Sequence, residues 1–281
     1  MTSVDFSRVF SMSAFEGLRV LRLRQVSNPG TGLAELADLV RRVDPDGASH
    51  DFDAAFHLDP IVVPAAAAHE VPGFYQHCIE AAIPAFRPLW SRIITLGRSV
   101  FVQKLSRDEV QCFRSAGLLE DPPTRPIISW WDRIAAIARL RSDQEKMERA
   151  RQAEEMSLEY EARRMRSLGI DRTPVWMSIE DNTAGYDIQS FDAGSGEPVA
   201  RLIEVKSTIA SPLRFFLSRN EWETAKKFGP AYHFHVWDLQ RLQLHERTVP
   251  EILPHIPTDN EKGKWSNAMI PIVQSRRDSK A

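Results

Sequence analysis

VARLIEVKST, residues Val199–Thr208, is the stretch whose reading decides the fold. It is rich in β-branched and aliphatic residues, which predicts a strand in or near a core. Side chains alternate across a strand, so Glu204 and Lys206 share one face while Ile203 and Val205 take the other. The preceding strand-like segment, residues 185–191, carries Asp187. Three ionisable groups in two otherwise strand-forming segments are costly to place without a use. Together they set two carboxylates and an ammonium around one point, which suits a divalent metal and an activated water. The spacing alone also fits a solvated Glu-x-Lys ion pair of little energetic weight. The flanking sequence has to separate the two readings.

Working outward, residues 175–179 and 232–239 also read as strands, and a helix is expected at Arg219–Phe228. Ser218 and Glu221 match the S-x-x-E capping box at its start. Upstream, residues 142–167 mix acids and bases so densely that a long charged helix is expected. The order is then helix, three strands, helix, strand: an α/β arrangement around a mixed sheet. Residues 1–141 have a different texture. Apolar residues recur at helical spacing over 32–43 and 74–105, with a loop-like stretch at 44–71 between them. A short helix over 106–119 and another over 128–140, opened by Trp130 and Trp131, make a helix-turn-helix near 106–140 one reading and a plain packing pair the other. The expected organisation is a mainly α-helical N-terminal domain (1–141), an α/β domain (142–246) and a Pro-containing tail (247–281) that ends in a basic stretch over 275–280.

The 281 residues are 43% hydrophobic and 26% charged with net charge −2, a globular composition without a broad basic footprint for coating nucleic acid. That leaves room for an enzyme with a local basic groove. Cys78 and Cys112 lie far apart and outside metal-ligand spacing, so neither a disulfide framework nor a zinc module is expected, and a reducing cytoplasm is the natural setting. The N-terminal MTSVDFSRVF lacks a signal-peptide pattern, and the Ala65–Ala68 cluster falls far short of a membrane span.

With these elements placed, the second half resembles the PD-(D/E)XK nuclease superfamily, in which an acidic residue is followed after a variable gap by (D/E)-x-K on the next strand. Here these are Asp187 and then Glu204-Val205-Lys206, 17 positions later (204 − 187), with Tyr186 where some members have proline. GYDIQSF, RLIEVKST and FLSRNEW, with Ala225 and Tyr232 after them, are more specifically similar to the domain at the C-terminus of the plant NO VEIN protein, which also occurs in bacterial restriction and phage-defence proteins. The resemblance covers roughly a third of the chain. That family carries an acidic residue on the helix before the strands, usually after a glycine; Ala153-Glu154 stands there, without the glycine. Helical geometry selects Glu154 independently. It falls at the centre of an apolar stripe of Met147, Ala150, Leu158, Ala162, Met165 and Leu168, whereas Glu155 and Glu159 fall off it. Glu161 also lies on the stripe, as a second active-site carboxylate or as an acid that snorkels to solvent.

The resemblance implies a metal-dependent endonuclease, acting on DNA in a restriction or defence setting and leaving 5′-phosphate and 3′-hydroxyl ends. Asp187, Glu204 and the Val205 carbonyl would supply oxygen ligands to Mg²⁺, or to Mn²⁺ in its place. Lys206 would orient the attacking water or stabilise developing charge. Glu154 would hold a metal-bound water or assist a second metal. The alternative is a catalytically silent nuclease fold that binds nucleic acid or regulates. A homodimer suits double-strand cutting, and the N-terminal domain offers a surface for a partner protein. His233 and His235 alternate on the last expected strand, as metal ligands or as two exposed histidines. Glu221 reads as a cap, Trp222 as core, Arg219 or Asn220 as a phosphate contact, and Trp130-Trp131 as a domain-packing anchor.

Overall fold

The computed structural model describes residues 6–64, 70–181, 183–260, 263–273 and the backbone of 279–280. The Ala65–Ala68 cluster, the first five residues and most of the basic stretch at 275–280 lie outside them. The chain divides into two compact units, residues 1–142 and 143–281. No helix among the described residues is long and apolar enough to cross a membrane.

The first unit is helical: α1 (Phe6–Val9), α2 (Met12–Ser27), α3 (Leu33–Val43), α4 (Phe52–Leu58), α5 (Val71–Phe86), α6 (Arg98–Val102), α7 (Arg107–Ser115) and the start of α8 (Arg125–Ser167). The expected single helical stretch over 74–105 is broken, because Pro88 opens a 3₁₀ turn over Leu89–Leu96 and Gly97 closes it at φ +97°. The stretch expected as loop contains α4, whose N-cap Asp51 accepts the Ala54 N–H at 3.0 Å. Ser106 and Glu109 form a full capping box on α7. Trp130 packs edge-on against Trp131 with centroids 5.1 Å apart, and Trp131 Nε1 donates to the Leu118 carbonyl. Both rings join Phe113 in this unit's own core.

The helices expected over 128–140 and 142–167 are one helix, α8. From Ile127 to Leu168 the sequence contains no glycine or proline to break it, and Gly169 at φ +69° ends it. Its buried face in the second unit is Ala153, Glu154, Ser157, Glu161 and Met165. The apolar stripe is therefore shifted from the one expected, and Met147 and Leu168 are exposed.

The second unit holds β1 (Val175–Trp176), α9 (Met177–Glu180), β2 (Ile188–Asp192), β3 (Val199–Thr208), β4 (Arg214–Ser218), α10 (Arg219–Phe228), β5 (Tyr232–Asp238), β6 (Gln243–Thr248), α11 (Val249–Ile252), β7 (Asn267–Pro271) and β8 (Ser279–Lys280). The larger sheet runs β1-β2-β3-β5-β6-β8, with β3 and β5 parallel and the other pairs antiparallel. This is the mixed sheet expected from the element order. β4 and β7 pair in a small second sheet, so residues expected as a tail contribute a strand. Ile188, Ile203, Val205, Trp237 and Leu244 pack with Ala153 of α8 on one face of the large sheet. Leu202, Tyr232, Phe234 and Val236 on the other face pack with Trp222 of α10 and with Phe215, Leu217, Ala268 and Ile270 of the small sheet. That second face is the one from which Glu204 and Lys206 project.

Candidate active site

Ile188 pairs with Ile203 across β2 and β3, so Asp187, one residue before the strand, falls opposite Glu204 on the second face. The Asp187 N–H donates to the Ile203 carbonyl at 2.9 Å and continues the ladder by one residue. Asp187 therefore sits at the mouth of β2 rather than within it. The chain reaches this point through Gly185 at φ +79°, and a Cβ there would lie 2.9 Å from Thr224 Cγ2 of α10. The Gly185 carbonyl also lies 2.9 Å from the Tyr232 hydroxyl, which ties the turn to β5.

Of the groups expected at the site, Glu204 and Lys206 are in direct contact, and the charges of Glu204, Lys206 and Glu154 act on Asp187. Asp187 Oδ2 accepts the Val205 N–H at 2.7 Å. Glu204 Oε1 accepts from Lys206 Nζ at 2.6 Å, and Glu204 Oε2 lies 3.1 Å from the Tyr232 hydroxyl. Lys206 Nζ also meets Glu221 Oε2 at 2.9 Å. Glu154 is buried, and its Oε2 accepts from Arg151 Nη1 at 3.0 Å, from Ser178 Oγ at 2.6 Å and from Trp176 Nε1. Its charge reaches Asp187.

Burial dominates the electrostatics. It pushes the Asp187 carboxyl up to about 8, aided by the neighbouring Glu204 and opposed by the Val205 N–H. Burial raises Glu204 as well, although Lys206 and Tyr232 work against the rise. Burial alone would lower Lys206, but Glu204 and Glu221 overcome it and raise the ammonium above its ordinary value. Glu154, Asp187, Glu204 and Glu221 are four carboxylates with two cations, Arg151 and Lys206, in contact with them. Burial first, and then the neighbouring carboxylates, raise Asp187 and Glu204. A hard cation relieves the excess of negative charge, and oxygen donors are what such a cation takes. The donor set thus fits Mg²⁺, which needs only one or two carboxylates beside water and substrate oxygens. Among the described residues, no three Asp, Glu, His or Cys side chains form a ready-made metal cluster.

The structure places other sequence candidates elsewhere. Glu161 neither snorkels nor joins the site, since it is fully buried beneath the opposite face of the sheet. Its Oε2 accepts from Ser190 Oγ at 2.6 Å and from Arg164 Nε at 2.8 Å, and its Oε1 lies 3.5 Å from Arg201 Nε and 3.4 Å from His235 Nε2. His233 and His235 do share a face, but it is this buried one and not a solvated one. Burial, then the charge of Arg201, pushes His233 down to about 4 and His235 well below its ordinary value. Arg219 is held by both oxygens of Asp259, at 2.6 and 2.7 Å. Glu221 is the cap expected, with Ser218 N–H donating to its Oε2 at 2.9 Å, yet the same oxygen holds Lys206. Tyr232 and Arg151 are the site residues that sequence reasoning missed. In the sequence Tyr232 marks family membership without disclosing a role, and Glu221 reads as a cap without its tie to Lys206.

Residues 153–247 match the family described as Protein NO VEIN, C-terminal. These residues form a NO VEIN C-terminal domain. The matched segment begins beside Glu154 and ends within β6, so it holds Glu154, Asp187, Glu204, Lys206, Glu221 and Tyr232. This domain is a PD-(D/E)XK-like domain. No curated protein and no solved structure matches the chain.

Proposed function

We propose that the NO VEIN C-terminal domain of this chain is a metal-dependent phosphodiesterase that cuts DNA internally. The observation carrying this reading is the meeting of Asp187, Glu204 and Lys206 on one sheet face, with both acids driven up by burial, Asp187 further by Glu204 and Glu204 further by Glu221. Asp187, Glu204 and the Val205 carbonyl would hold Mg²⁺ or Mn²⁺, with Glu154 assisting. The cation supplies charge neutralisation at the phosphate and a more acidic water.

The chain's own residues do the rest. The Val205 N–H fixes the rotamer of Asp187, and Tyr232 fixes that of Glu204. Lys206, held protonated between two carboxylates, serves as a cation that stabilises charge on the phosphate rather than as a proton acceptor. Arg151, half-exposed and stacked over Trp176 at 5.5 Å, offers a second positive group at the rim. A restriction or defence setting follows from the family resemblance. Cutting both strands would call on two copies of the domain, and the helical unit would then supply the trigger or partner contact.

Supercoiled plasmid, phage DNA and RNA incubated with the protein in Mg²⁺, Mn²⁺ or EDTA test the reading. Nicking of DNA that stops in EDTA supports it. Tight DNA binding without cleavage in either metal points instead to a silent binding module.

A further inference from the structure

We infer that Glu221 is a positioning residue: from the first turn of α10 it holds Lys206 Nζ in place over Glu204. This deepens the nuclease reading and rests on it.

A lysine head group on a four-carbon stem has many rotamers, and one anchor leaves it free to swing. Glu204 lies on the same strand two residues away and gives one anchor, at 2.6 Å. Glu221 gives the second, at 2.9 Å, from a different element. Two anchors on two elements define a position, whereas one defines only a tether.

Glu221 is itself immobilised. Its Oε2 accepts the Ser218 N–H at 2.9 Å, and its own N–H donates to Ser218 Oγ at 3.3 Å, completing the capping box. The N-terminus of α10 favours an anion there as well. The carboxylate that starts the helix is thus also the one that aims the lysine, coupling the placement of α10 to the geometry of the site. Trp222, one residue on, is buried in the core on that face and fixes the helix against the sheet.

The plainer reading is a capping glutamate with an incidental ion pair. The two separate cleanly, because a cap needs only an acceptor at that position and glutamine supplies it. Glu221→Gln keeps the cap and removes the charge that holds Lys206. Ser218→Ala weakens the cap and leaves both the Ser218 N–H and the Glu221–Lys206 pair.

The test is amine-selective acylation of the full chain in EDTA, with the rate at Lys206 followed by peptide mass spectrometry. Lys206 should react several-fold faster in Glu221→Gln than in wild type, while Ser218→Ala reacts like wild type despite a lower Tm. Equal rates in Glu221→Gln and wild type would overturn the inference. So would a Ser218→Ala rate matching that of Glu221→Gln, because helix fraying would then be the cause. On plasmid DNA, Glu221→Gln should lose about 10²-fold in kcat with KM little changed, the scale of a misplaced reacting group. A wild-type protein that cuts nothing would sink the nuclease reading alone, and the acylation rates would still decide whether Glu221 holds Lys206.

Discussion

At the scale of single residues, Asp187 gives the sharpest consequence. An acid whose folded-state pKa lies above its unfolded value binds its proton more tightly when folded. Its contribution to stability is therefore present at low pH and is lost as pH rises between 3.8 and about 8. Asparagine mimics the protonated form. Metal-free Asp187→Asn should accordingly have a higher Tm than wild type at pH 8 and nearly the same Tm at pH 4, read by thermal unfolding in EDTA. A wild type more stable than Asp187→Asn at pH 8 would mean that the carboxylate is already neutralised. The sequence disclosed this residue, with Glu204 and Lys206, because the two-residue period of a strand assigns a face to each position. It did not disclose Tyr232, whose partner Glu204 lies 28 residues away and is joined only by the fold, or Arg151, an i,i+3 partner of Glu154 that reads as an ordinary surface pair on a charged helix.

Elements carry the buried polar layer beneath the other face. Glu161 of α8 is fully buried with Arg201 of β3, His235 of β5 and Ser190 of β2 around it. Truncating one partner leaves buried charge uncompensated. Glu161→Ala should cost about 3–5 kcal/mol in urea unfolding of the second unit, whereas Glu155→Ala on the exposed side of the same helix costs under about 0.5 kcal/mol. Equal small losses would show Arg201 to be adequately held by Glu246 and Asp192 alone. Element type was legible wherever periodicity was strong, as in β3 and α10. It was not legible in β6, QLHERT, where burial falls on His245 and Arg247 and the apolar alternation is masked, or in β7, NAMIP, which ends on Pro271. On α8 the sequence marks Glu154 and Glu161 on the buried face and Glu155 and Glu159 off it, as found, but the stripe is centred slightly to one side because Ala153 and Ser157 are too small to announce burial.

At the scale of the whole molecule, the two units each have a hydrophobic core, one built of helices and the other around the mixed sheet. Calorimetry should resolve two unfolding transitions, and Mg²⁺ should raise only the one belonging to residues 143–281. The shift corresponds to about 2.7 kcal/mol at a hundredfold excess over Kd. A single merged transition, or a shift confined to the helical unit, would contradict this division of labour. The division itself was visible as a change of texture from helical periodicity to β-rich runs. A role for the helical unit was not, since its apolar pattern describes packing.

The claim at the centre of this account is that Asp187, Glu204 and Lys206 form one hydrolytic centre. Cleavage of supercoiled plasmid in Mg²⁺ by wild type beside Asp187→Ala, Glu204→Gln and Lys206→Ala tests it most directly. Metal-dependent nicking by wild type, abolished in each of the three variants while their folds persist, is the predicted result. Nicking that survives in Lys206→Ala and Asp187→Ala would contradict it.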